Sequence, residues 1–286
     1  MVPGMVVRAL AAIALAGMIG MTQTRTKPVR IVSTTLVTDE ITAGLVEPSR
    51  IIAMSRYASD PETGNVSGIA ARINRFVDRS AEQIVALNPD VVLSTRYGKL
   101  QLKQLIRTAG IPYYELTQFK TVKDIEANIR VIAKAVGEDN RGEDVIRTMQ
   151  QKLGSAGRTL RPERHAWRAL YLAPGEWTAG TNTSVHEIFR YTGLRNAAAE
   201  AGVNGNVKVS IEKIIEINPD VIVIGTGYER DANYANYLST DPRFVTIQAI
   251  RTKRIVAVPS RYIQTTSQFI GDAAVEVGRR IDALPR

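Results

Sequence analysis

One segment of this chain occurs twice. Residues 80–95, SAEQIVALNPDVVLST, and residues 210–225, SIEKIIEINPDVIVIG, align at a constant offset of 130 residues. Ser80, Glu82, Ile84, Asn88, Pro89, Asp90 and Val91 are matched by Ser210, Glu212, Ile214, Asn218, Pro219, Asp220 and Val221. Each copy predicts one device. The serine caps a short helix whose apolar residues recur at helical spacing. Asn-Pro-Asp then stops that helix, because proline disfavours the helical conformation in the residue before it, and a β-branched strand follows. Two copies of a helix, turn and buried strand call for two α/β sheets.

A second pair supports the duplication. RIIAM at 50–54 resembles RIVAV at 254–258, and both run into Ser-Arg, at Ser55-Arg56 and, after Pro259, at Ser260-Arg261. Strands are expected near 29–33, 50–54, 91–94 and 112–115 in the first half, and near 169–172, 221–224 and 255–258 in the second. Between the halves, 121–136 and 143–160 are rich in helix formers, with 137–142 interrupting them. They read as one long helix joining the lobes, in place of a flexible Gly/Ser linker. The fold class is therefore α/β, with two Rossmann-like lobes of central parallel sheet, one long rigid helix between them and a cleft between the lobes. A length of 286 residues suits two domains better than one. The boundaries are expected at 26–137 for the first lobe, 138–162 for the linking helix and 163–286 for the second.

Ahead of these, Arg8 precedes an uncharged stretch to Met21, of signal-segment length and too short to span a bilayer comfortably. Residues 1–25 are read as an export signal. No clean A-x-A site lies near 21–25, so an uncleaved anchor is the alternative. The formal net charge of +9 is scattered, with no basic run or basic helix, which argues against nucleic acid as a partner. With no cysteine there is neither a disulfide, nor a thiolate metal site, nor a lipid-bearing Cys.

The two-lobed helix, Pro-Asp and strand repeat, the opening RIVSTTLVTDEITAGL at 30–45 and WTAGTNTSVHEIFRYTGLRN at 177–196 together make the chain similar to the class III periplasmic binding proteins. Those proteins serve importers of iron siderophores, haem and vitamin B12. The resemblance covers nearly everything after residue 28 and implies a periplasmic, monomeric protein. Its partners would be a bulky small-molecule ligand and an ABC transporter permease, and any metal would arrive inside the ligand. It also implies that one glutamate on top of each lobe meets permease arginines; by position these are Glu82 and Glu212. A carboxylate near a helix N-terminus is well placed for bidentate arginine. The plainer alternative is a capping role in each helix's first turn.

Ligand-binding residues are expected in loops that leave the C-terminal ends of parallel strands. These loops offer Thr34, Thr35 and Thr38, Arg56 and Tyr57, and Arg96 and Tyr97 from the first lobe. The second offers Trp177 and Thr178, Tyr228 with Arg230 and Tyr234, and Arg261 with Tyr262. Flat apolar faces beside anion donors suit a large, partly flat and partly anionic ligand such as haem, a ferric siderophore or a corrinoid. The alternative for each aromatic singly is that it covers the edge of its own lobe. Tyr57, Tyr97, Tyr228 and Tyr262 are the candidates for axial ligation of a haem iron.

Direct metal binding is disfavoured. His165 and His186 are the only histidines, and HEIFR at 186–190 lacks the second His of a zinc-protease helix. Gly225-Thr226-Gly227 lacks the rest of a dinucleotide fingerprint, and neither a phosphate loop nor a nucleophile elbow occurs. The chain is thus expected to be a binding protein and not an enzyme. The rival readings are a binding protein of the same fold for a non-metal organic ligand, and a chelatase-like or nitrogenase-like relative that would need metal ligands this chain lacks.

Overall fold

The computed structural model describes residues 27–284 apart from residues 79 and 97–99. The export signal read at 1–25 lies outside the described residues, as does Tyr97. The first lobe runs β1 (Ile31–Ser33), α1 (Leu36–Leu45), β2 (Ile51–Ser55), α2 (Ser67–Ile73), β3 (Phe76–Val77), α3 (Ala81–Ala86), β4 (Val91–Thr95), α4 (Leu100–Thr108), β5 (Tyr113–Leu116) and α5 (Val122–Val136). Its five strands are parallel, in the order β3-β2-β1-β4-β5. After α6 (Asp139–Ala156), the second lobe runs β6 (Arg168–Leu172), β7 (Trp177–Ala179), α7 (Ser184–Thr192), β8 (Arg195–Asn196), α8 (Ala197–Glu200), β9 (Asn206–Lys208), α9 (Ile211–Ile217), β10 (Val221–Thr226), α10 (Tyr234–Thr240), α11 (Gln248–Arg251), β11 (Ile255–Pro259), α12 (Ser260–Ile263) and α13 (Ile270–Asp282). Its parallel sheet has the order β11-β10-β6-β8, beside an antiparallel β7–β9 ribbon.

All seven strands read from the sequence are present, and the repeat is the unit it promised. Ser80 and Ser210 cap α3 and α9, their hydroxyls accepting from the backbone amides of Gln83 and Lys213. Asn88 and Asn218 then turn left-handed, with φ of 45° and 43°, conformations that asparagine tolerates better than most residues. Asp90 and Asp220 tie the turns to the strand beside them, since their carboxylates accept from the amides of Arg30 and Arg168 at the heads of β1 and β6. All of β4 is buried, as is β10 from Val221 to Gly225, as expected for parallel strands covered by helices on both faces. The two-residue strands β3 and β8 and the β7–β9 ribbon carried no hydrophobic period long enough to be read.

One long helix, α6, joins the lobes as expected, but 121–136 forms a separate helix ahead of it and is not its first half. Gly137, at φ 73°, ends α5, and a new helix begins at Asp139. A Cβ on Gly142 would lie 2.7 Å from that of Ala133, so α6 lies directly against α5. Of the two helices, α6 is the one that packs on both lobes: it touches α1 and α5 on one side and α7 and α13 on the other. At α13 the approach is again glycine-close, because a Cβ on Gly271 would come 2.9 Å from Met149 O and from Lys152 Cβ. Ile146, Met149 and Leu153 of α6 are buried in a core continuous with both sheets. At 1.5 Å per residue its 18 residues extend about 27 Å.

Candidate functional site

Loops that follow strands of both sheets converge on one interlobe cleft with two chambers. The first, about 400 Å³, is lined by Thr35 after β1, Tyr57 after β2, Thr95 at the end of β4, Tyr228 after β10, and Ser260 and Arg261 after β11. The second, about 860 Å³, is lined by Arg96 after β4, Gln118 and Lys120 after β5, Ala173 and Pro174 after β6, and Trp177. Phe119, Gln264 and Thr266 form the wall common to both. The cleft thus lies outside the carboxyl ends of the strands, where open α/β sheets gather their ligands.

Seven of the residues picked from the sequence meet there: Thr35, Tyr57, Tyr228 and Arg261 in the first chamber, Arg96, Trp177 and Thr178 in the second. Tyr57 is 62% exposed, Trp177 47% and Tyr228 36%, so three aromatic faces stand open to solvent at the cleft. Three others do not join them. Arg56 lines neither chamber and grips Asp78 on the surface, with Nε and Nη2 donating at 3.0 and 2.9 Å. Tyr234 sits in the second lobe's core, 6% exposed and stacked on Tyr237 at 5.7 Å. Burial pushes its phenol far above the usual range. Tyr262 packs against the core, carries the Arg261 guanidinium 5.1 Å over its ring, and lines a separate pocket with Pro61 and Phe269. Thr34 and Thr38 point inward, to Ser94 and Ser33. The two histidines lie outside the chambers: His165 Nε2 is 2.9 Å from Leu160 O, and His186 lies in the first turn of α7.

The sequence reading passed over Phe119, Lys120, Gln264 and Thr266. The same strand-end rule finds the first two once it is applied to the loop after β5. It also passed over Glu40, an acid inside α1 that is only 3% exposed. Its Oε1 accepts from Asn65 N and Nδ2 at 3.0 and 2.8 Å, and its Oε2 from the Ser267 hydroxyl of the other lobe at 2.5 Å. Gln268 Nε2 donates to the Glu40 carbonyl at 2.6 Å, and Asn65 Nδ2 reaches Arg261 O at 2.8 Å. These bonds stitch the lobes together along the first chamber. Burial raises the Glu40 carboxyl above its ordinary range against the pull of its donors. Next to it Asp39, fully buried and held by Ser55, is pushed up to about 7 by the same desolvation.

Glu82 and Glu212 lie exposed in the first turns of α3 and α9. The Ser80 hydroxyl donates to Glu82 Oε2 at 2.7 Å. That bond, with the residue's own amide, holds the carboxyl below its ordinary range; for Glu212 its own amide leads and the Ser210 hydroxyl follows. Each helix runs back along the strand it feeds, so both carboxylates sit toward the strand ends that form the cleft.

A family model described as periplasmic binding protein matches residues 31–262. An ABC transporter substrate-binding lipoprotein of Bacillus subtilis (strain 168) is 22% identical over 216 residues, 72% of this chain and 66% of that protein. The vitamin B12-binding protein of Pectobacterium carotovorum subsp. carotovorum (strain PC1) is 26% identical over 229 residues, 78% of this chain and 80% of that one. The chain spans 51% to 66% of the length of the first curated relatives it matches. Among solved structures, the periplasmic heme-binding protein RhuT from Roseiflexus sp. RS-1 in apo form superposes with a TM-score of 0.74 at 25% identity, covering 88% of this chain and 97% of that one.

Proposed function

Because this chain belongs to the periplasmic binding protein family, we propose that it captures a bulky, flat and partly anionic ligand outside the cytoplasmic membrane and hands it to the permease of an ABC importer. The observation that carries this reading is the set of open aromatic faces, Tyr57, Tyr228 and Trp177, beside Arg96 and Arg261 in a cleft walled by both lobes. Aromatic faces cover a planar ligand at little entropic cost, and guanidinium groups meet its anionic groups bidentately. Haem, a ferric siderophore and a corrinoid fit that description, and the names of the vitamin B12-binding relative and the heme-binding structural neighbour support it. Where the cargo is a ferric macrocycle, Tyr57 or Tyr228 would be the residue to approach its metal.

The exposed Glu82 and Glu212 would meet arginines of the permease, one from each lobe. With α6 packed against both lobes, closure around the ligand would be small, unlike the wide swing of lobes on flexible crossovers.

Tryptophan emission tests the proposal. Trp167 carries the guanidinium groups of Arg164 and Arg254 at 5.1 and 4.4 Å from its ring, whereas Trp177 stands in the cleft. Titration with haem, cobalamin and a ferric hydroxamate is expected to give saturable quenching with one of them. Trp177→Ala should weaken that ligand about tenfold, equivalent to ~1.4 kcal/mol. Absence of saturable quenching by all three would reject the ligand class, and unchanged affinity in the variant would remove Trp177 from the site.

A further inference from the structure

Trp177 stands at the end of a tight hairpin that is held from outside the cleft. Ala173 and Trp177 exchange backbone hydrogen bonds, at 2.9 and 3.2 Å, across a three-residue turn. In that turn Gly175 and Glu176 are both left-handed, with φ of 80° and 59°. Glycine takes this conformation freely, whereas a glutamate keeps it only where its surroundings hold it. Two bonds do so: Glu176 O accepts from Val209 N at 3.0 Å, and Glu176 Oε1 accepts from the Tyr237 hydroxyl at 3.3 Å. The Tyr237 oxygen in turn accepts from Arg243 Nη2 at 3.1 Å. Asp241 fixes that guanidinium, accepting from Nε at 3.0 Å and from Nη2 at 2.6 Å. The Tyr237 ring lies against Tyr234, stacked at 5.7 Å, and Phe244, edge-on at 5.6 Å. Desolvation, and behind it the Glu176 carboxylate, raises the phenol, so Tyr237 keeps the proton it donates. Glu176, Tyr237, Asp241 and Arg243 line neither chamber, yet Ala173, Pro174 and Trp177, on either side of Glu176, line the second.

We infer that Glu176 is a positioning residue for the cleft: anchored through Tyr237 to Arg243, it fixes the hairpin that presents Trp177 to the ligand. This rests on the proposed role of Trp177 in the cleft and adds what aims it. Tyr234, buried in the second lobe's core, serves the site from behind by bracing Tyr237. The Val209 bond is to the main chain of Glu176, so the turn itself survives loss of the carboxylate, and what is lost is the grip on its orientation.

With Trp167→Phe as background, Trp177 is the one tryptophan left, and its emission anisotropy reads the hairpin without any ligand. Tyr237→Phe, which removes the donated bond and keeps the ring, and Glu176→Ala should each lower the anisotropy and raise quenching by acrylamide. Glu176→Gln keeps an acceptor for the phenol and should behave as the parent chain. In absorbance titrations with haem, cobalamin and a ferric hydroxamate, Tyr237→Phe and Glu176→Ala should weaken whichever binds several-fold. That loss should vanish when Trp177 is already alanine, because two residues acting through one contact are not additive. Unchanged anisotropy in Tyr237→Phe, or a loss of affinity of the same size with and without Trp177, overturns the inference. If none of the three ligands binds, the ligand class fails, while the anisotropy still decides whether Glu176 holds the hairpin.

Discussion

Asp90 Oδ2 accepts a hydrogen bond from the backbone N–H of Arg30 at 2.9 Å, and the relationship recurs in the second lobe, where Asp220 Oδ2 accepts from Arg168 at 2.8 Å. The guanidinium of each arginine reaches back to the asparagine of the same turn, Arg30 Nε to Asn88 O and Arg168 Nη1 to Asn218 O. The duplicated Asn-Pro-Asp is therefore a clasp between neighbouring parallel strands as well as a helix stop. Removing a charged acceptor from such a clasp costs about 1–2 kcal/mol, less where water can replace it. Asp220 is the less exposed of the two. Asp220→Ala is expected to lower the urea midpoint more than Asp90→Ala does, with the ligand affinity of both unchanged.

Glu82 and Glu212 should matter only when the permease is present. Glu82→Arg, Glu212→Arg and the double variant are expected to keep ligand affinity and thermal stability and to lose stimulation of the transporter's ATPase in proteoliposomes, the double variant completely. Normal transport by the double reversal would leave both glutamates as members of their helices' first turns and nothing more.

Glu40 and Ser267 join the lobes, and that contact is expected to limit how far they open. Glu40→Ala strips acceptors from Asn65 and Ser267 in a buried seam, an expected loss of about 2–3 kcal/mol. Small-angle scattering should show a larger radius of gyration for this variant than for the parent chain, and Ser267→Ala should move it the same way by less.

Stability should also depend on pH through Asp39. Its carboxyl is raised from 3.8 to about 7 by burial, so the folded chain binds a proton there that the unfolded chain releases. The stabilisation is fully present below about pH 4 and is lost as pH rises through 7. At about 1.36 kcal/mol per unit the span is at most about 4 kcal/mol. Glu40, also raised, adds a contribution of the same sign. Asp39→Asn is expected to flatten the fall in stability between pH 4 and 7 without abolishing it, as read from denaturation midpoints across that range.

The architecture was legible wherever the chain repeated a long apolar period. The strands around Val91 and Val221 carry their own caps and stops, so the repeat announced them. The bridge misled because 121–136 and 143–160 have the same helical composition, and only the left-handed Gly137 and the tight fit of Gly142 on Ala133 reveal two helices packed on one another. At the site, the strand-end rule found Tyr57, Tyr228 and Trp177 but could not tell which side chains turn inward. Tyr234 follows Asn233, whose left-handed turn starts a helix that drives the ring into the core. Glu40 was illegible for the opposite reason: its partners Asn65 and Ser267 lie 25 and 227 residues away, and no local pattern marks such a contact.

On the proposed function, the interlobe cleft carries a coloured metal chelate to an importer. Native mass spectrometry with visible absorbance, on the protein purified from its own host, tests it most directly. One bound molecule with the mass and spectrum of a haem, a corrinoid or a ferric chelate is expected, lost when Tyr57, Tyr228 and Trp177 are replaced by alanine. A colourless organic ligand in the cleft, or a coloured one still held by the triple variant, would contradict it.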